Sequence, residues 1–333
     1  MADNRRAFLS VLAVTVLGLV FTVGLRAAAQ DASYARAAQR IADAAASGAT
    51  ALNLGYMGLR ELPPELWELD RLEWLDLNGN RLRELPPDVA RLISLKQLRL
   101  YGNDLTALPP EIGSLERLEV LQVASNALTA LPPEIGQLAH LKELNADSNV
   151  LTELPPEIGR LENLLVLSAD SNQLTALPAE IERLVNLRDL SVTVNNIAAL
   201  PPEIGRLTNL RRLGVGLNQL TALPPEIGQL SSLEEIFFEG NQIGQLPYEI
   251  GNLERLVTLG FSYNPIYDPP PEMFARPLPE LQAYLREQSH LRQQAQAEQN
   301  RLIVGLALAD LALIFVAVWL WRRWRTPART RTV

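Results

Sequence analysis

A 23-residue period constrains this chain more than any other feature of it. It reads most clearly from Leu95 to Arg117, LKQLRLYGNDLTALPPEIGSLER, and its skeleton is L-x-x-L-x-L-x-x-N-x-L-x-x-L-P-x-x-I-x-x-L. The opening leucine falls at Leu72, Leu95, Leu118, Leu141, Leu164, Leu187, Leu210, Leu233 and Leu256, and an asparagine follows each at a fixed interval, from Asn80 to Asn264. One such unit is too small to bury its own leucines. Neighbouring units must therefore stack into a solenoid with a continuous core.

Within a unit, Leu98 and Leu100 alternate with Gln97, Arg99 and Tyr101, the period of a strand with one buried face. Asn103 turns the chain, and its amide offers both donors and an acceptor to backbone groups that the turn removes from the sheet. Its recurrence in every full unit marks a structural column rather than a catalytic residue. Leu108, Ile112 and Leu115 keep a one-sided helical spacing, and Pro109 stands where a short helix or 3₁₀ turn tolerates a missing N–H. Each coil thus pairs a strand with a short helical return, and the strands stack into a parallel sheet on the concave side.

These residues resemble those of leucine-rich repeat proteins. The L-P-P-E-I-G-x-L return is similar to the 23-residue class found in Ras-suppressor-like proteins, plant intracellular Ras-group repeats and many bacterial proteins. The resemblance implies an α/β solenoid: a leucine-rich repeat horseshoe with a parallel concave sheet and short helical or 3₁₀ convex returns. For function it implies a surface presented to a partner and names no activity.

The regions flanking the repeats carry a different signal. Met1 to Gln30 has Arg5 and Arg6, an apolar run from Ala7 to Gly24, then Ala27-Ala28-Ala29, the pattern of a signal peptide over 1–29 or of an uncleaved signal anchor. Residues 30–48 place Tyr34, Ala38, Ile41, Ala42 and Ala45 at helical spacing and read as an N-terminal cap on the array. The repeats occupy 49–270, with Met57 in place of the asparagine in the first coil. Residues 271–301 read as a C-terminal cap helix, with Leu281, Tyr284, Leu285 and Leu291 along one side, followed by a polar stalk. Leu302 to Trp321 is an apolar run long enough to cross a bilayer, Trp319, Trp321 and Trp324 mark its interface, and 322–333 is a basic tail.

Arg5 and Arg6 at one end and the arginines after Trp321 at the other both favour the cytoplasm. The expected topology is single-pass in the cytoplasmic membrane, repeats outside and C-terminus inside. Residues 30–301 hold 36 acidic against 22 basic side chains, which argues against nucleic acid as the ligand. Asp310 interrupts the apolar run near its middle and is the candidate for pairing with a homodimer partner or another membrane protein. The bacterial look of the repeats points to a bacterial cell.

Specificity belongs on the outward strand positions, which the core leaves free to vary. Three columns face out, beginning at Ala51, Asn53 and Gly55 and stepping one coil at a time. The candidate ligand-binding residues on them are Trp74, Arg99, Tyr101, Glu143, Asp147, Asp170, Asp189, Arg212 and Phe237. Trp74, Tyr101 and Phe237 are aromatic anchors, because rings bury area at little entropic cost. The acidic middle selects a cationic or polar partner, and Gly214 with Gly216 leaves a dent beside Phe237. The expected partner is a protein or peptide.

No catalytic pattern accompanies these residues. The chain has no cysteine, no phosphate-loop glycine-lysine motif and no H-E-x-x-H, and His140 and His290 lie far apart. The P-E-I-G glycines sit in separate coils and cannot cradle one phosphate. Asp147 and Asp170 share a column in adjacent coils, which raises a glycosidase pair or a shared cation as alternatives. The expectation is a non-enzymatic binding protein with no cofactor and no metal.

Overall fold

The computed structural model describes residues 32–324. The export segment expected over 1–29 and the tail from 325 onward lie outside the described residues. Ten three-residue strands form one parallel sheet in sequence order, from β1 (Ala51–Asn53) and β2 (Trp74–Asp76) to β10 (Thr258–Gly260). Register is fixed at one repeat throughout: Leu75 pairs with Leu98, Leu98 with Leu121, and so on. Each strand and the return that follows it form one coil, numbered here 1 to 10 by strand.

Every return is a five-residue 3₁₀ turn, as in Pro110–Ser114 of coil 3. Pro109 is extended, with φ −70 and ψ 147, and Pro110 takes the first helical position, so the paired prolines set the entry angle and lose no bond the turn needs. The core runs the length of the array. Leu72, Leu75, Leu77, Leu82 and their counterparts one repeat on are fully buried, as are the isoleucines in the returns of coils 3 to 9. Burying each such side chain contributes about 1.5–3 kcal/mol before chain entropy is counted.

The glycine of P-E-I-G has a packing reason. A side chain on Gly136 would meet the Glu157 carbonyl oxygen at 2.5 Å, and one on Gly159 the Glu180 carbonyl at 2.4 Å. The returns of successive coils therefore approach backbone to backbone. At Gly251 the neighbour is no longer a coil: an added carbon would lie 2.5 Å from the Arg286 amide nitrogen of the C-terminal helix.

Both ends of the core are closed by helices. At the N-terminal end, α1 (residues 32–47) buries Ala37, Ile41 and Ala44 against the first coil. Sequence spacing favoured Ala38, Ala42 and Ala45; in an alanine-rich helix several faces look equally apolar, and the one carrying Ala37 is the face that packs. At the other end, α2 (Leu278–Trp324) packs on the return of coil 9 through Leu281 and Leu285. Arg286 donates to the Gly251 carbonyl and Gln282 to the Leu253 carbonyl, at 2.9 Å and 2.8 Å, which satisfies groups the last coils leave open. Leu291, expected on the packed side, is 51% exposed, and the contact reaches as far as Arg292, whose guanidinium lies 5.2 Å from the centre of the Tyr248 ring.

The helix does not stop there. It continues without a break through the polar segment 292–301 into the apolar run, a rod of about 70 Å at the rise of an α-helix. That run is long and apolar enough to cross a membrane and is not buried among the described residues. Asp310 is exposed within it.

Candidate functional site

The outward sheet face is built by the same strands that bury the leucines. Its chemistry begins with an exchange of hydrogen bonds. Asn80 donates to the carbonyls of Leu54 and Leu77, both at 2.9 Å, and accepts from the Leu59 amide at 3.0 Å. Asn103, Asn149, Asn172, Asn195, Asn218 and Asn241 repeat this pattern one coil at a time. Each asparagine thus links three stretches of backbone in a buried column, as its recurrence implies.

Because the asparagine takes those carbonyls, the N–H groups of the third outward column stand outside the sheet ladder. Side chains on the concave face accept them instead. Asp76 accepts from Asn78, Asn78 from Tyr101, Asn145 from Asp147, Asp147 from Asp170, and Asp170 from Thr193, at 2.6–3.0 Å. Asp147 and Asp170 also accept from Ser168 and Ser191, each at 2.6 Å. The two carboxylates raised as a glycosidase or cation pair therefore spend one oxygen each on the fold. Among the described residues no cluster of three or more acidic or histidine side chains is placed to hold a metal. Sequence reading missed this ladder, although Asp, Asn and Ser recurring in two adjacent outward columns was its signal.

At the N-terminal end of the face, the Arg99 guanidinium lies over the Trp74 ring, 5.5 Å from its centre. Arg99 makes no ion pair among the described residues, and its Nε is buried without a hydrogen-bond partner. Tyr101 stands beside it, 47% exposed. The expected cluster of Trp74, Arg99 and Tyr101 is thus brought together. Toward the middle, Gln122 donates to Glu143 at 3.1 Å, and burial pushes the Asp170 carboxyl above its ordinary value despite the bonds from Ser191 and Thr193.

The C-terminal end has the same pairing with a different charge balance. Arg212 lies over the Phe237 ring at 6.0 Å, but it also forms an ion pair with Glu235 at 2.6 Å and approaches Asp189 at 3.9 Å. Burial raises the Asp189 carboxyl, which Arg212 opposes. The dent expected at Gly214 and Gly216 is already filled: both glycines are buried, and a side chain on Gly214 would meet Ser191 Oγ at 2.9 Å. Small residues there make room for neighbouring side chains rather than for a ligand. Asp310 lies far along α2 in sequence from all of these.

A fourth outward column was not foreseen. The residue before each asparagine, and before Met57 in the first coil, adopts a left-handed backbone, from Tyr56 through Gly79, Ser125 and Val194 to Tyr263. Glycine or serine fills most of these positions, and Tyr56, Val194, Leu217 and Tyr263 fill the rest.

Comparison with known proteins agrees with this architecture. Residues 88–196 match the leucine-rich repeat region family and 71–92 the Leucine Rich Repeat family. A leucine-rich repeat protein of Leptospira interrogans is 40% identical, with a TM-score of 0.67 over 72% of this chain and 60% of that one. The plant peptide hormone receptor RGFR1, solved in complex with RGF2, is 34% identical over 65% of this chain and 36% of that one, TM-score 0.61. The leucine-rich repeat domain of the type III effector XopL is 27% identical over 68% of this chain and 82% of that one, TM-score 0.58. The chain thus spans less than two thirds of the length of the first two. No curated protein sequence matches it. Period, asparagine column, parallel sheet and these relatives agree: the chain is a leucine-rich repeat protein.

Proposed function

We propose that this protein is a membrane-anchored binding module whose concave sheet face captures a protein or peptide partner outside the cytoplasmic membrane. The observation that carries the reading is the Trp74, Arg99 and Tyr101 cluster, where a guanidinium stacked on an indole stays free of any carboxylate in the described chain. Stacked arginine and exposed rings are the groups that dominate protein recognition. The peptide held by the plant receptor relative is in keeping with a protein or peptide ligand here. The role assigned is adhesion, envelope scaffolding or ligand capture, and not catalysis.

Anchoring rests on the apolar run of α2, with 302–321 as the span, 1–29 as the export segment and 322–333 as a cytoplasmic tail. A charged Asp310 facing lipid would cost about 2.5–3.5 kcal/mol, which favours a helix partner at that position. This supports a second reading, a non-enzymatic receptor subunit that reports binding through a membrane partner.

The test is quantitative mass spectrometry of envelope proteins that co-purify with the detergent-solubilised full chain. Replacing Trp74 and Tyr101 together by alanine is expected to lose a specific protein from that set, and an unchanged set overturns the anchor assignment. Protease added to intact spheroplasts is expected to digest the repeats. Repeats protected until lysis would place the same surface on the cytoplasmic side.

A further inference from the structure

The fourth outward column stores strain with no gain in burial. A left-handed backbone crowds the β-carbon, and a β-branched side chain suffers most. Val194 nevertheless adopts φ 57, Leu217 φ 51 and Tyr263 φ 60, while coils 4 to 6 place serine and coil 9 glycine at this position. Burial does not repay this: Val194 is 44% exposed, Leu217 56% and Tyr263 89%. Leu217 leans over Gly240, where an added carbon would lie 2.6 Å from its Cδ2, so the apolar surface runs on across the gap toward Tyr263. Strain held in the native state at exposed positions is a mark of function.

What lies beside this ridge indicates its occupant. The N–H groups of Glu239 and Ser262 have no acceptor among the described residues, unlike those of Tyr101, Asp170 and Thr193. Asp170, Asp189, Glu235 and Glu239 flank it, and the arginine at this end of the outward columns, Arg212, is tied to Glu235. The surroundings are therefore apolar along the lip, rich in open donors on the floor and acidic on balance.

We propose that Val194, Leu217 and Tyr263 form an apolar docking ridge for an extended segment of a protein partner. That segment brings apolar side chains to the ridge, carbonyl oxygens to the open N–H groups and a basic side chain to the carboxylates. This rests on the reading of the concave face as the ligand surface and adds where along it the apolar contact is made and what chemistry the partner carries.

The experiment pans the solubilised full chain against a random-peptide phage library and measures the enriched peptides on variants. Enriched sequences are expected to place lysine or arginine beside apolar residues. Val194→Asn with Leu217→Asn, which substitutes the side chain most tolerant of this backbone, is expected to weaken them about tenfold or more. The unfolding midpoint of that variant is expected to be equal or higher, because strain is released. Enriched peptides without this pattern, equal binding to the variant, or a lowered midpoint would each overturn the proposal. So would self-association of the wild type that the variant abolishes, which assigns the ridge to a second copy of the chain. If Trp74→Ala with Tyr101→Ala removes binding and the ridge variant does not, the concave reading stands and the ridge falls. If neither matters, both fall.

Discussion

The two faces of each strand obey different rules, and coil 2 shows it in adjacent residues. Leu75 is fully buried and repeats as leucine or isoleucine in every coil, whereas Trp74 beside it becomes Gln97, Val120 and Glu143 in the next three. The inward position must fill a core of fixed spacing, so its volume cannot drift. The outward position is free of that demand, and what persists there answers to hydrogen bonding or to a partner. Regularity in this chain reports the fold, and departures from regularity report function.

Five substitutions break or sharpen this contrast. Asn172→Ala removes donors to the Ala146 and Ala169 carbonyls and the acceptor for Leu151, all buried. It should cost the most, about 3–9 kcal/mol at 1–3 kcal/mol for each of the three orphaned groups, read from urea unfolding. Leu75→Ala should cost about 2–5 kcal/mol, while Trp74→Ala costs about 1 kcal/mol or less. Equal costs would erase the distinction between faces.

Gly251→Ala tests the junction between solenoid and rod. The added carbon meets the Arg286 backbone, so α2 must shift, at about 1–3 kcal/mol. Limited proteolysis should then cut earlier within 278–301 while the repeats stay intact. Cleavage no faster than in the wild type would show that α2 is held elsewhere.

The smallest effect belongs to Asp170→Asn. Burial raises the folded carboxyl above its ordinary value of 3.8, so the folded state holds its proton more tightly than the unfolded state. Stability from this group is present at low pH and is lost as pH rises from the unfolded value through the folded one. Asparagine keeps the Oδ1 acceptor for Ser191 and Thr193 without the charge. The variant should be as stable as the wild type or slightly more so at neutral pH, and should lose that segment of the pH profile. A marked destabilisation at pH 7 would show that the charge itself supports the ladder.

Much of this was legible in residue order, for a physical reason. Period-2 alternation and a fixed repeat are hydropathy signals, so the strands, the leucine core and the asparagine column could be read directly. Trp74, Arg99 and Tyr101 could be placed together because register follows from the period. What hydropathy does not carry was harder. The sign of φ at Val194 and Leu217 leaves no trace in polarity. The bonds that engage Asp147 and Asp170 depend on which backbone groups the asparagines have already taken. In α1 alanine repeats on several faces, so Ala37 and Ala44 are buried where spacing put Ala38 and Ala45, while Ile41 is buried as spacing put it. The continuity of α2 through 292–301 was likewise hidden, since a polar composition suits an exposed helix as well as a loose stalk.

The central claim is that partners meet the concave face. A photo-crosslinking residue at Tyr101 and, separately, at Ser114 and Arg160 on the convex returns tests it in the cells that make the protein. The account predicts a discrete crosslinked protein from Tyr101 and none from the other two. Crosslinks from the convex positions with none from Tyr101 would contradict it.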